Sequence, residues 1–212
     1  MGLLLAIAAE LGLAGIFGLL VLTALGLPVP EEMTVLTGAL DAAWNDGSLV
    51  GVWWVAIAGV VVSDALLLGV GRWAGPRLLD TRPVLVVFGR EHQQQLARAL
   101  EGREALAVFC ARFFPGLRGA LVGFLGAQGA SFVRVLWIDL AAATLACAAP
   151  VIIAGWAANR HPDDALAGFQ LASITLFRYG FLLFALATLA FLLVVVIDTL
   201  RPEWLRRIDP SD

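Results

Sequence analysis

The stretch Cys110–Gly126, CARFFPGLRGALVGFLG, decides how this chain is read. It sets Arg112 and Arg118 inside an otherwise apolar run, with Pro115-Gly116 between them. An arginine at the centre of a spanning helix costs about 2.5–3.5 kcal/mol on insertion scales, so two facing lipid would cost roughly 5–7 kcal/mol. Both guanidinium groups are therefore expected to face protein, water or an anionic ligand. Proline-glycine breaks the helix, and irregular backbone at membrane depth is tolerated only where it packs on protein or lines a cavity. A broken segment bearing ionisable groups in a bilayer marks a functional site.

The rest of the chain supplies the bilayer context. Of 212 residues, 60% are hydrophobic and 15% charged, with a mean hydropathy of +0.89. This composition predicts an all-α integral membrane protein forming a single membrane domain over 1–212. A net charge of −3 with no basic patch argues against a nucleic-acid partner. All 14 basic residues are arginine, so phosphate recognition here would use guanidinium forks rather than ammonium point charges. A GC-rich genome explains that bias as readily. Cys110 and Cys147 lie in apolar segments without CxxC or Cys/His spacing, so no metal, cofactor or disulfide framework is expected. The first residues, MGLLLAIAAELG, lack a basic n-region and read as part of the mature fold.

A bilayer core of about 30 Å needs roughly 20 helical residues. Four stretches qualify: 1–25, 50–71 carrying Asp64, 132–158 carrying Asp139 and Pro150, and 176–199. Two others are apolar but interrupted. Segment 26–45 holds Pro28, Pro30, Glu31 and Glu32, and segment 105–129 holds the Pro115-Gly116 break. Short apolar segments broken by proline read as re-entrant hairpins. Segment 72–103 is polar and arginine-rich, and VLVVF followed by REHQQQLARALEGR predicts one amphipathic helix at the interface. The expected fold class is thus four spanning helices, two opposed re-entrant helical hairpins and one interfacial helix.

Arginine distribution sets the orientation. Placing 72–103, the tail 200–212 and Arg134 at the start of the third span on the cytoplasmic side puts ten basic residues inside and two, Arg160 and Arg178, outside, with Arg112 and Arg118 within the membrane. Four spans with both termini cytoplasmic satisfy the count. The hairpins then enter from opposite faces, the arrangement in which transporters build a midplane site. Tryptophans such as Trp44, Trp53, Trp54 and Trp73 lie near proposed span ends and read as interfacial anchors.

Four blocks in order resemble the DedA family of membrane proteins, also called VTT-domain or SNARE-associated proteins. They are GLPVPEE (Gly26–Glu32), SDALLLGVGRWAG (Ser63–Gly75), RFFPGLRG (Arg112–Gly119) and the span starting near Phe132. Together they cover roughly residues 20 to 160. The resemblance implies two facing re-entrant hairpins in a bacterial inner-membrane protein that moves undecaprenyl phosphate or phospholipid between leaflets, coupled to the proton motive force. It implies functional roles for Glu32, Arg112 and Arg118. The chain also departs from the family pattern. Thr23 stands where many members carry a further acid, and Glu31 where many have glycine. Asp139 falls at a usual asparagine and Ala146 at a usual tryptophan.

The residues make a coherent proposal without the family. Arginine binds phosphate bidentately and keeps its charge, so Arg112 and Arg118 are candidate ligands for a lipid phosphate. Glu31, Glu32, Asp64 and Asp139 are candidate proton carriers and charge partners. The plainer alternative is that the arginines only neutralise Glu31, Glu32 or Asp64, since buried charges are usually paired. Glu31 and Glu32 also suit a helix N-terminus electrostatically. The leading expectation is a flippase or scramblase whose partners are a membrane lipid and protons, with a homodimer possible at this size. The alternative is a proton-coupled small-ion or drug exchanger. Neither histidine, His92 nor His161, lies among the intramembrane charges and no nucleophile–base pair is visible, so an enzyme is not expected.

Overall fold

Long apolar segments leave the backbone no partner but itself, so they fold as helices in hydrocarbon. The computed structural model describes residues 12–24, 30–75, 77, 104–112 and 117–200. Among these the chain is all helical, running α1 (Gly12–Thr23), α2 (Glu31–Trp44), α3 (Leu49–Ala74), α4 (Glu104–Ala111), α5 (Leu117–Ala127), α6 (Phe132–Arg160) and α7 (Ala165–Leu200). Three of them, α3, α6 and α7, are long and apolar enough to cross a membrane. The expected first span is represented by α1, 12 residues long; its positions 1–11 lie outside the described residues. So do Pro28, Pro115, Gly116, most of the expected interfacial segment 72–103, and the tail 201–212.

The last helix starts earlier than its apolar run. The span expected over 176–199 begins at Ala165, and the connection from α6 shrinks to 161–164. Asp164 explains the start: its Oδ1 accepts the Ala167 N–H at 2.9 Å and its carbonyl accepts the Gly168 N–H at 3.0 Å, an N-cap that launches the helix. Gln170, Ser173 and Thr175 dilute the hydropathy of the first turns, which hides this half of the helix from an apolarity reading.

Helix α3 is the centre of the molecule and packs on α1, α2, α5 and α6. Its start is capped by Ser48, whose hydroxyl accepts the Gly51 N–H at 3.0 Å. It runs antiparallel to α6: Leu49 lies against Gly155 and the Trp53 indole donates to the Thr144 carbonyl at 3.1 Å. Trp44 likewise donates to the His161 carbonyl, at 3.3 Å. These two tryptophans therefore tie helices together, whereas Trp54 and Trp73 are exposed as interfacial anchors would be.

Two apolar cores form along this antiparallel pair. One gathers Leu20, Leu36, Val60 and Ala143 from α1, α2, α3 and α6. The other gathers Leu68, Val122, Leu125 and Val135 from α3, α5 and α6. Helices α3 and α5 cross at contact distance because glycine faces backbone on both sides. A Cβ on Gly71 would collide with the Gly123 carbonyl, and one on Gly126 with the Leu68 carbonyl. Helix α4 packs on α5 and α6, so the two helices flanking the Pro115-Gly116 position lie side by side.

Candidate functional site

The seam between the two cores holds the charges. On α3, Asp64 lies one helical turn beyond Val60 of the first core and one turn before Leu68 of the second. On α6, Asp139 lies one turn beyond Val135 and one turn before Ala143. Because the helices are antiparallel, the same seam brings the two aspartates together, and their carboxylates interact electrostatically. Both are fully buried. Asp64 stands ten residues from the end of α3, about 15 Å at 1.5 Å per residue, or half the hydrocarbon thickness.

Helix ends deliver the remaining groups. Glu31 opens α2 immediately after Pro30, whose extended backbone (φ −63°, ψ 127°) turns the chain into the helix. Arg118 occupies the first turn of α5, and Arg112 follows the end of α4. The two arginines thus lie at the ends of two different helices, and each takes its own acidic partner. Arg118 Nη1 donates to Glu31 Oε2 at 2.5 Å, and Arg118 Nη2 donates to Glu31 Oε1. This is a two-pronged guanidinium–carboxylate pair. Arg118 Nη2 also lies 3.2 Å from Asp64 Oδ1, an ion pair off the hydrogen-bond axis, since neither Asp64 oxygen has a hydrogen-bond partner. Arg112 takes a separate partner, its Nη1 donating to Asp139 Oδ1 at 2.5 Å.

Five of the six charged positions singled out in the sequence thus meet: Arg112, Arg118, Glu31, Asp64 and Asp139. Glu32 does not join them. It is exposed and makes no ion pair with a described residue; on a helix, its neighbour Glu31 points inward while Glu32 is rotated about 100° away. Thr23 and Ser63 complete the site and escape a search for charges. The Thr23 hydroxyl lies 3.4 Å from Glu31 Oε1 and 3.5 Å from the Ser63 hydroxyl. The only signal for Ser63 was its place beside Asp64. Asp139 Oδ2 and both Asp64 oxygens are buried without a hydrogen-bond donor. Among the described residues no cluster of three metal-type ligands occurs.

Comparison with other proteins agrees on the membrane. Over 139 residues, 64% of this chain, the sequence is 26% identical to a protein of Haemophilus influenzae named only as an uncharacterized membrane protein. Over 112 residues, 53% of the chain, it is 35% identical to an uncharacterized membrane protein of Synechocystis. The matched stretches span 66% and 51% of those relatives. No family model and no solved structure matches. With its apolar helices, the chain is a membrane protein with transmembrane helices.

Proposed function

We propose that the protein moves a phosphate-bearing lipid, such as a polyprenyl phosphate or a phospholipid, between the leaflets of a bacterial inner membrane. One observation carries the reading: Arg118 already grips an oxyanion through both of its η nitrogens, and that oxyanion is the Glu31 carboxylate. A phosphate ester presents two oxygens at similar spacing, and guanidinium binds either group in the same bidentate way. Glu31 is a stand-in that a lipid phosphate displaces, while its acyl chains stay in hydrocarbon.

Charge counting adds the proton. The cluster holds two cations, Arg112 and Arg118, against three carboxylates, Glu31, Asp64 and Asp139, so with every group ionised its sum is −1. An entering phosphate makes the sum more negative in a low-dielectric setting, which is costly. A displaced carboxylate that takes a proton offsets it, and lipid movement is thereby coupled to proton movement. This reading carries the topology expected from the sequence, with four spans, two opposed re-entrant hairpins and both termini cytoplasmic, and it follows the resemblance to the DedA family in Arg112 and Arg118 while taking Glu31 rather than Glu32 as the acid.

The test is leaflet translocation in proteoliposomes, using labelled phospholipids and a polyprenyl phosphate with and without an imposed pH gradient. Movement of a phosphate-bearing lipid, altered by the gradient, supports the reading. A second reading follows from the surplus carboxylate: a proton-coupled exchanger of small cations. Proton-coupled cation flux with no lipid movement would favour it and end the first.

A further inference from the structure

The two arginines do not sit alike. Arg112 is 6% exposed and its partner Asp139 1%, whereas Arg118 is 13% exposed and Glu31 20%. Arg118 is shared between two acids from two helices, Glu31 on α2 and Asp64 on α3. Arg112 contacts a single carboxylate oxygen through a single nitrogen. The first pair has access and an alternative acid ready when one leaves. The second is closed off, and its carboxylate is rooted on α6 between two apolar cores.

From this asymmetry we infer a division of labour, resting on the function proposed above: Arg118 is the exchanging phosphate ligand, and Arg112 with Asp139 is a lasting pair that positions it. Arg112 follows α4 and Arg118 begins α5, so fixing Arg112 to α6 fixes where the second half of the hairpin starts. Arg112 is on this account a positioning residue. It never leaves Asp139 during a transport cycle, and the phosphate does not meet it.

Geometry sets the test. A one-nitrogen contact can be made by an ammonium, whereas a two-pronged one cannot. Arg112→Lys therefore retains transport within about threefold, while Arg118→Lys loses at least tenfold. Removing the pair together is the sharper comparison. Arg112→Met with Asp139→Leu deletes one positive and one negative charge and leaves the cluster sum at −1; replacing a whole buried pair by apolar groups is often tolerated where removing one partner is not. Single Arg112→Met should lose transport, and the double variant should regain it with an apparent KM within about threefold of wild type. Arg118→Met with Glu31→Gln should stay inactive.

The assay is movement of NBD-labelled phosphatidylglycerol in phosphatidylcholine vesicles, with the unfolding temperature and its shift by farnesyl phosphate measured on the same preparations. A farnesyl phosphate shift kept in Arg112→Lys and lost in Arg118→Lys supports the division. If the double variant fails to fold, Arg112→Lys decides. Wild type that moves lipid, with Arg112→Lys folded yet inactive, overturns the division and leaves the transport reading standing. Wild type that neither moves lipid nor responds to farnesyl phosphate overturns both.

Discussion

Replacing Glu31 by glutamine should tighten the binding of a lipid phosphate while slowing its passage. In the structure Glu31 offers Arg118 two anionic acceptors. Glutamine keeps one neutral oxygen and turns an NH2 group toward a guanidinium that can only donate. At least one charge-assisted bond disappears, and such bonds contribute about 1.5–3 kcal/mol each. Asp64, 3.2 Å away, continues to neutralise Arg118 in part, so the lower half of that range applies. About 2 kcal/mol less competition is roughly a 30-fold gain in affinity for an incoming phosphate. Calorimetric titration of detergent-solubilised protein with farnesyl phosphate measures this directly. Turnover should fall, because the group that displaces the phosphate for release is gone, and the response to a pH gradient should shrink with it. Equal or weaker binding by a folded Glu31→Gln protein would refute the idea that Glu31 and phosphate compete for Arg118.

Other expectations follow from the packing. Gly126→Ala drives a methyl group into the Leu68 carbonyl, backbone that cannot rotate away, so it should destabilise by about 1–3 kcal/mol and misplace Arg118; an unchanged unfolding temperature would contradict the close α3–α5 crossing. Asp64→Asn removes the surplus carboxylate of a cluster whose charges sum to −1 and leaves Arg118 paired with Glu31, so its unfolding temperature should be at least that of wild type, and a clear fall would show that the Asp64–Arg118 ion pair is needed for folding. Trp53→Phe loses the donor to the Thr144 carbonyl and should cost about 1 kcal/mol, read as a lower unfolding temperature without loss of lipid movement.

Much of the site was legible because charge in an apolar segment is costly and therefore conspicuous. Arg112, Arg118, Asp64 and Asp139 stand out against their neighbours in the one-dimensional string. Their pairing was legible only in part: Glu31 and Asp64 stand out as partners for the arginines, but which arginine takes which acid does not. That Asp139 answers Arg112 and Asp64 answers Arg118 depends on the antiparallel register of α3 and α6, which no local pattern encodes. The choice between Glu31 and Glu32 turns on a rotation of one residue about the α2 axis, set by where Pro30 starts the helix. Thr23 was marked only by the resemblance, as the residue standing where an acid is usual, and Ser63 only by its place at the head of the block that holds Asp64, because a hydroxyl in an apolar run is otherwise unremarkable. Helix α7 shows a different limit: Asp164 starts it by capping, while apolarity becomes evident only a dozen residues later.

The central claim is that Arg118 carries the phosphate across. The most direct measurement compares wild type and Arg118→Ala, reconstituted at equal density and verified as folded, for the rate at which a labelled lipid phosphate changes leaflet. The account predicts rapid exchange by wild type and the rate of empty vesicles for the variant. Equal rates in the two proteins would contradict it.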